Sequence, residues 1–214
     1  MNFHVQIQAY HRLLPLMRIS MIAVMRIRRM RLKDFLAGVA DENTRASLLA
    51  IHRYYDDVWP VAPGSSHNHQ AWPGGLRDHL ADMCRRGWLI YQLDSMLYGE
   101  LPFSFDDVVV CIFCHDAEKL VKTSPREDTR FGRFHTMADG GMPWEEVKWH
   151  VLAEWAFFGL MLTQAQTNAL KYTHGEPESA YRKDKRVMNE LAAFVHALDN
   201  ASARCYHDKG RGHA

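Results

Sequence analysis

His115-Asp116 sets an imidazole beside a carboxylate, two ligand types that divalent transition ions accept together. The pair follows Val108-Val109-Val110-Cys111-Ile112-Phe113-Cys114, an apolar run that reads as a buried helix continuing to about Val121. A carboxylate emerging from such a segment is costly to bury unless it is paired or coordinated. Neighbours on a helix diverge by about 100°, yet both can reach one ion lying beside it. Lys119, four residues after His115, projects from the same face one turn on and suits the charge of a phosphate. Upstream, His79 stands in the first turns of a helix that follows Pro73-Gly74-Gly75. Those glycines permit positive φ or a close backbone approach just before the helix. Downstream, Asp199 lies in Phe194-Val195-His196-Ala197-Leu198-Asp199-Asn200-Ala201-Ser202-Ala203. It is another carboxylate in need of a partner, among small residues that let a second helix pack closely.

The elements that must position these groups are helical. Phe35, Leu36, Val39, Leu48, Leu49, Ile51, His52 and Tyr55 recur at helix-like intervals, until the Pro, Gly and Ser of residues 59–66 break the pattern. A second helix is expected over Gly75 to Tyr98. A third starts at Phe105, with Ser104 as its cap and Asp106 and Asp107 at its positive end. The polar, Gly-containing stretch Ser124 to Gly141 reads as a loop or lid. Further helices are expected over Pro143–Leu162, Thr163–Tyr172 and Val187–Tyr206. Alternating strand patterns are few, and there is no twenty-residue apolar span, internal repeat or dividing linker. The expectation is an all-α single domain over 34–206, with a basic arm at 1–33 and a tail at 207–214.

The arm carries Arg12, Arg18, Arg26, Arg28, Arg29, Arg31 and Lys33 with no acidic residue before Asp34. It fits a membrane surface or polyanion, a targeting peptide without a convincing cleavage site, or a true start at Met25 or Met30. A formal net charge of +1 gives no global case for nucleic acid or anionic membrane. Of four cysteines, Cys111 and Cys114 form a C-x-x-C pair inside the apolar run, with no second pair to complete a zinc ribbon. They read as core cysteines of a reducing, cytoplasmic compartment. Thirteen histidines supply more imidazoles than one site needs. His67 and His69 are placed to line a site and His196 to support one, while His4, His11, His52, His135, His207 and His213 have no assigned role.

A helical His (His79), a later His-Asp pair followed by Lys (His115, Asp116, Lys119) and a late Asp (Asp199) resemble the signature of the HD superfamily. The resemblance spans about His67 to Ala203. The lead-in from His69 to His79, His-x-x-x-Pro-Gly-Gly-Leu-x-x-His, is similar to YhaM-type 3′→5′ exoribonucleases and relaxase-associated HD proteins. Tyr172-Thr173-His174-Gly175-Glu176 resembles their Ser-His-His-Gly-Glu. The resemblance implies an HD-type helical bundle with His79, His115, Asp116 and Asp199 holding a principal metal. His150 and His174 are placed to serve a second ion. Threonine, at Thr173 in place of a histidine, is a poor ligand, so one or two ions both remain open.

Mixed His and carboxylate ligands suit Mn²⁺, Fe²⁺, Ni²⁺, Co²⁺ or Zn²⁺, and such an ion activates water and polarises a phosphoryl oxygen. The implied activity is hydrolysis of a nucleotide phosphate ester, as a phosphodiesterase or nucleotidase. Asp116 and Lys119 would be catalytic; Lys119, Arg77, His69, Glu176 and Arg130 would meet the substrate. The alternative is a 3′→5′ exonuclease on single-stranded RNA or DNA, held by the basic residues of 126–133. Two readings from other classes are a di-iron oxygenase and a non-catalytic nucleotide-binding module. A homo-oligomer is compatible with all of these, and no transmembrane segment is expected.

Overall fold

The structure, a computed structural model, describes residues 21–66, 68–177 and 186–205. Helices follow one another as α1 (residues 21–29), α2 (Leu32–Ala37), α3 (Glu42–Tyr54), α4 (Gly75–Tyr98), α5 (Phe105–Cys114), α6 (Ala117–Thr123), α7 (Gly132–Asp139), α8 (Trp144–Trp155), α9 (Gln164–Tyr172) and α10 (Glu190–Cys205). A 3₁₀ turn, Ala156–Phe158, extends α8. No strand occurs among the described residues, so the fold is all-helical. No helix among them is long and apolar enough to cross a membrane.

α5 is the central helix. Every residue from Val108 to Cys114 is buried, because α4, α9 and α10 pack around it. Its start is as the sequence predicts: Ser104 Oγ accepts from the Asp107 backbone N–H at 3.1 Å, and Asp107 Oδ2 accepts from the Ser104 N–H at 2.9 Å. This reciprocal capping box satisfies two otherwise unpaired donors. The C-x-x-C pair lies in this buried segment as free thiols. Burial raises the pKa of Cys111 and Cys114, which suits core packing and opposes a thiolate site.

α4 and α10 cross closely because Gly87 has no side chain. A Cβ there would come within 2.9 Å of Leu198 Cδ1. The crossing carries Asp199, next to Leu198, toward His79 two turns back along α4. On the other flank, α6, α7 and α8 pack together. Phe131, Phe134 and Trp155 are buried there, Phe131 stacking on Tyr55 with ring centroids 5.0 Å apart.

Four expectations are corrected. The helix predicted through His115 does not continue: α5 ends at Cys114 and α6 begins at Ala117, with Asp116 at φ −114°, ψ 28° between them. Both side chains nevertheless face one interior point. The predicted loop at Ser124–Gly141 contains α7, because Phe131, Phe134 and His135 supply a buried face. The helix predicted over Pro143–Leu162 ends early, where Gly159 takes φ +89°, a conformation costly for other residues. Finally, Ile27 and Leu32 join the core, so packing begins ahead of Asp34; residues 1–20 and the tail from 206 lie outside the described residues.

Candidate functional site

Three elements bring ligand-type atoms together. α4 supplies His79, the α5–α6 break supplies His115 and Asp116, and α10 supplies Asp199. His79, His115 and Asp116 each offer one ligand atom within 4.8 Å of the others, and all three residues are buried. Asp199 Oδ1 lies 3.2 Å from His79 Nε2 and 3.9 Å from His115 Nε2. His79 Nε2, His115 Nε2 and Asp116 Oδ1 are buried with no hydrogen-bond partner. Leaving such groups unsatisfied is costly. A bound cation would satisfy all three together, so the residues present fit a metal ion.

The supporting contacts prepare both imidazoles for that role. His115 Nδ1 lies 2.8 Å from the Ile112 carbonyl oxygen. A carbonyl only accepts, so Nδ1 carries the proton and Nε2 keeps its lone pair. His79 Nδ1 is 3.1 Å from Ser202 Oγ, which can hold His79 in the same tautomer. Ser202→Ala is expected to lower metal affinity about 10- to 100-fold, read by competition with a metal-binding dye. Unchanged affinity with correct folding would remove Ser202 from the support of the site.

The charges agree with this arrangement. Burial pushes the Asp116 carboxyl up, but His115 when its ring is protonated, with Lys119 and His174, outweighs it and holds the group well below the usual carboxylate range. Asp199 behaves alike: burial opposes ionisation, and His79 with His115 prevails. Burial lowers the pKa of His79, favouring the neutral imidazole that a metal requires. His174 is raised to about 10 by Asp116 and Glu145 beside it. Glu118, whose Oε2 is also buried without a partner, is pushed up to about 7 by burial and then by the Asp116 charge.

The remaining predicted residues divide. His174 joins the cluster at its edge, with Nε2 3.7 Å from Asp116 Oδ1 and its side chain 47% exposed. Lys119 Nζ donates to Asp116 Oδ2 at 2.7 Å and to the Gly64 carbonyl at 2.5 Å. It therefore ties Asp116 to Gly64, where the sequence suggested a clamp on phosphate. His69 packs at a tilt against His79, ring centroids 5.1 Å apart, and its Nδ1 donates to Gln70 Oε1 at 2.8 Å. Thr173 is buried with its hydroxyl donated to the Ala169 carbonyl at 2.7 Å.

Others are not brought to the site. His150 is exposed on α8, while Lys148 and Leu152 of that helix face inward; two residues of helix rotate a side chain about 200°. Arg77 turns to Asp78, 3.9 Å away, and by the same rotation leaves the face that carries His79. Arg130 is committed to Asp57 at 2.6 Å and Asp128 at 2.8 Å, over the Phe131 ring. Glu176 accepts from the Met188 N–H at 3.2 Å and lines a separate cavity with Arg186 and His196. His196 supports the site through the Thr173 carbonyl, 2.6 Å from its Nδ1. His67 lies outside the described residues.

Sequence reasoning missed Glu118, Glu145, Lys148, Ser202 and Asn200. Glu118 was visible as the one polar residue between Asp116 and Lys119; the rest had no local signal, since their roles come from helices far apart in the chain. The cluster opens into a cavity of about 690 Å³ lined by Asn68, His69, His174, Asp199, Asn200 and Arg204. No family model, curated protein or solved structure matches the chain.

Proposed function

We propose that the chain is a metal-dependent phosphohydrolase of the HD superfamily, cleaving a phosphate ester of a nucleotide. The observation that carries this reading is the convergence of three buried, unpartnered ligand atoms, His79 Nε2, His115 Nε2 and Asp116 Oδ1, beneath an open polar cavity. His79, His115, Asp116 and Asp199 would hold the ion. When bound, it would supply Lewis-acid polarisation of a phosphoryl oxygen and acidify water. Mn²⁺, Fe²⁺, Ni²⁺, Co²⁺ and Zn²⁺ all suit the mixed donors.

The chain's own groups do the rest. Lys119 keeps the Asp116 carboxylate oriented and ionised, and the Ile112 carbonyl holds the His115 tautomer. His174 and Arg204 are the cavity's basic side chains, at positions where a phosphate would enter. The cavity volume falls in the range of small-molecule sites, which supports a small nucleotide over a long strand. The test is to purify the protein, measure bound metal, and screen nucleotides and short single-stranded RNA and DNA with Mn²⁺. Release of phosphate or of a nucleoside monophosphate is expected. Trimming of single strands alone would favour the exonuclease; oxygen-dependent turnover with two irons, an oxygenase. Cleavage of no phosphate ester under any of the metals ends the hydrolase reading.

A further inference from the structure

We propose that the centre holds a single ion, and that the ammonium of Lys148 excludes a second by occupying its counter-charges. The inference rests on the metal-centre reading above and concerns the wall behind His174. Lys148 has no solvent exposure. Its Nζ donates to Glu145 Oε1 and, at 3.4 Å, to the Leu170 carbonyl. A buried ammonium is costly unless paired, and Glu145 is that pair.

The other carboxylate oxygen of Glu145 lies 3.6 Å from His174 Nδ1, and His174 Nε2 lies 3.7 Å from the unpartnered Asp116 Oδ1. A chain of contacts therefore runs from Asp116 through His174 and Glu145 to Lys148. A second divalent ion on the His174 side of Asp116 would draw on His174 and Glu145. Glu145 is already held by Lys148, whose buried positive charge would repel the newcomer at short range. Two donors that the sequence pattern offered there are not available: the Thr173 hydroxyl is given to the Ala169 carbonyl, and His150 faces solvent. α8 thus turns an ammonium, not an imidazole, toward the centre. Lys148 is a positioning residue: it fixes Glu145, and through it His174, without touching substrate.

The experiment uses the full chain, stripped with a chelator, reloaded with Mn²⁺ and freed of excess ion. Metal per chain is measured by mass spectrometry and ion coupling by electron paramagnetic resonance. Wild type is expected to carry one Mn²⁺ with the spectrum of an isolated ion. In Lys148→Met the content is expected to rise from one to two, with a spin-coupled spectrum, whereas Lys148→Arg stays at one. Should Lys148→Met not fold, as judged by circular dichroism, Lys148→Gln takes its place. Two coupled ions in wild type, or one ion in a folded charge-removing variant, overturns the role of Lys148 and leaves the metal centre standing. No bound ion in wild type overturns the metal centre itself.

Discussion

His115→Ala is expected to abolish metal binding and to reduce phosphate-ester hydrolysis by at least about 10³-fold. The imidazole is completely buried, its Nδ1 proton is committed to the Ile112 carbonyl, and its Nε2 has no protein partner. No other side chain of α5 replaces that donor, because its buried side chains are apolar or thiols whose pKa burial raises. The metal-free variant loses side-chain packing but also loses a buried, unsatisfied nitrogen, so the two effects partly offset. The difference should appear when metal is present. At a free ion concentration 100 times Kd, wild type gains about 2.7 kcal/mol of stability, and the variant gains none. Thermal melts with and without Mn²⁺ measure this directly. His150→Ala is the matched control: with its side chain exposed on α8, metal content and rate should stay within about twofold. A variant of His115 that retains the full metal-induced stabilisation would remove this residue from the centre.

Gly75→Ala is expected to be among the most damaging substitutions of a single methyl group in the chain. A Cβ at Gly75 would lie 1.8 Å from the Gln70 carbonyl oxygen and 2.8 Å from its carbon, far inside contact distance, and both are backbone atoms. Gln70 cannot simply move away. It already holds φ +43°, its carbonyl accepts from the Gly64 N–H at 2.9 Å, and its side chain meets His69 at 2.8 Å. The methyl group would push Gln70 off the start of α4, and with it Gly64, whose carbonyl braces Lys119. Destabilisation of about 3 kcal/mol or more is expected, at the upper end for overpacking. Gly74→Ala should cost less, about 1–2 kcal/mol, because its difficulty is the left-handed φ of +78°. Chemical denaturation of the two variants separates the effects. Equal, small losses would mean that the loop yields without disturbing the helix.

Much of the scaffold was legible in residue order. The limits of α4 were readable from Pro73-Gly74-Gly75 at one end and Gly99 at the other, since glycine both permits the entry turn and stops the helix. The cap of α5 was readable because Ser104 and Asp107 act within one turn of each other. Residues 131–138 were harder: glycines and charges masked an apolar face that exists only once Tyr55 is there to receive Phe131.

The candidate site shows the same division. Asp116 and Asp199 could be chosen from the sequence because a carboxylate in an apolar helix must be compensated wherever the helix goes; His79 and His115 joined them through the resemblance of the pattern to the HD superfamily. Their convergence depended on the tertiary structure, through the close approach of α4 and α10 at Gly87 and the break between α5 and α6. Lys119 and Lys148 could not be told apart by residue type. Tertiary contacts made one a brace on Asp116 and the Gly64 carbonyl, and buried the other behind Glu145. The sequence by itself determined which helices form and which buried groups need partners, because those follow from local spacing and the cost of desolvation. Only the tertiary structure decided which partners they find, because the distances between charges are set by how the helices pack.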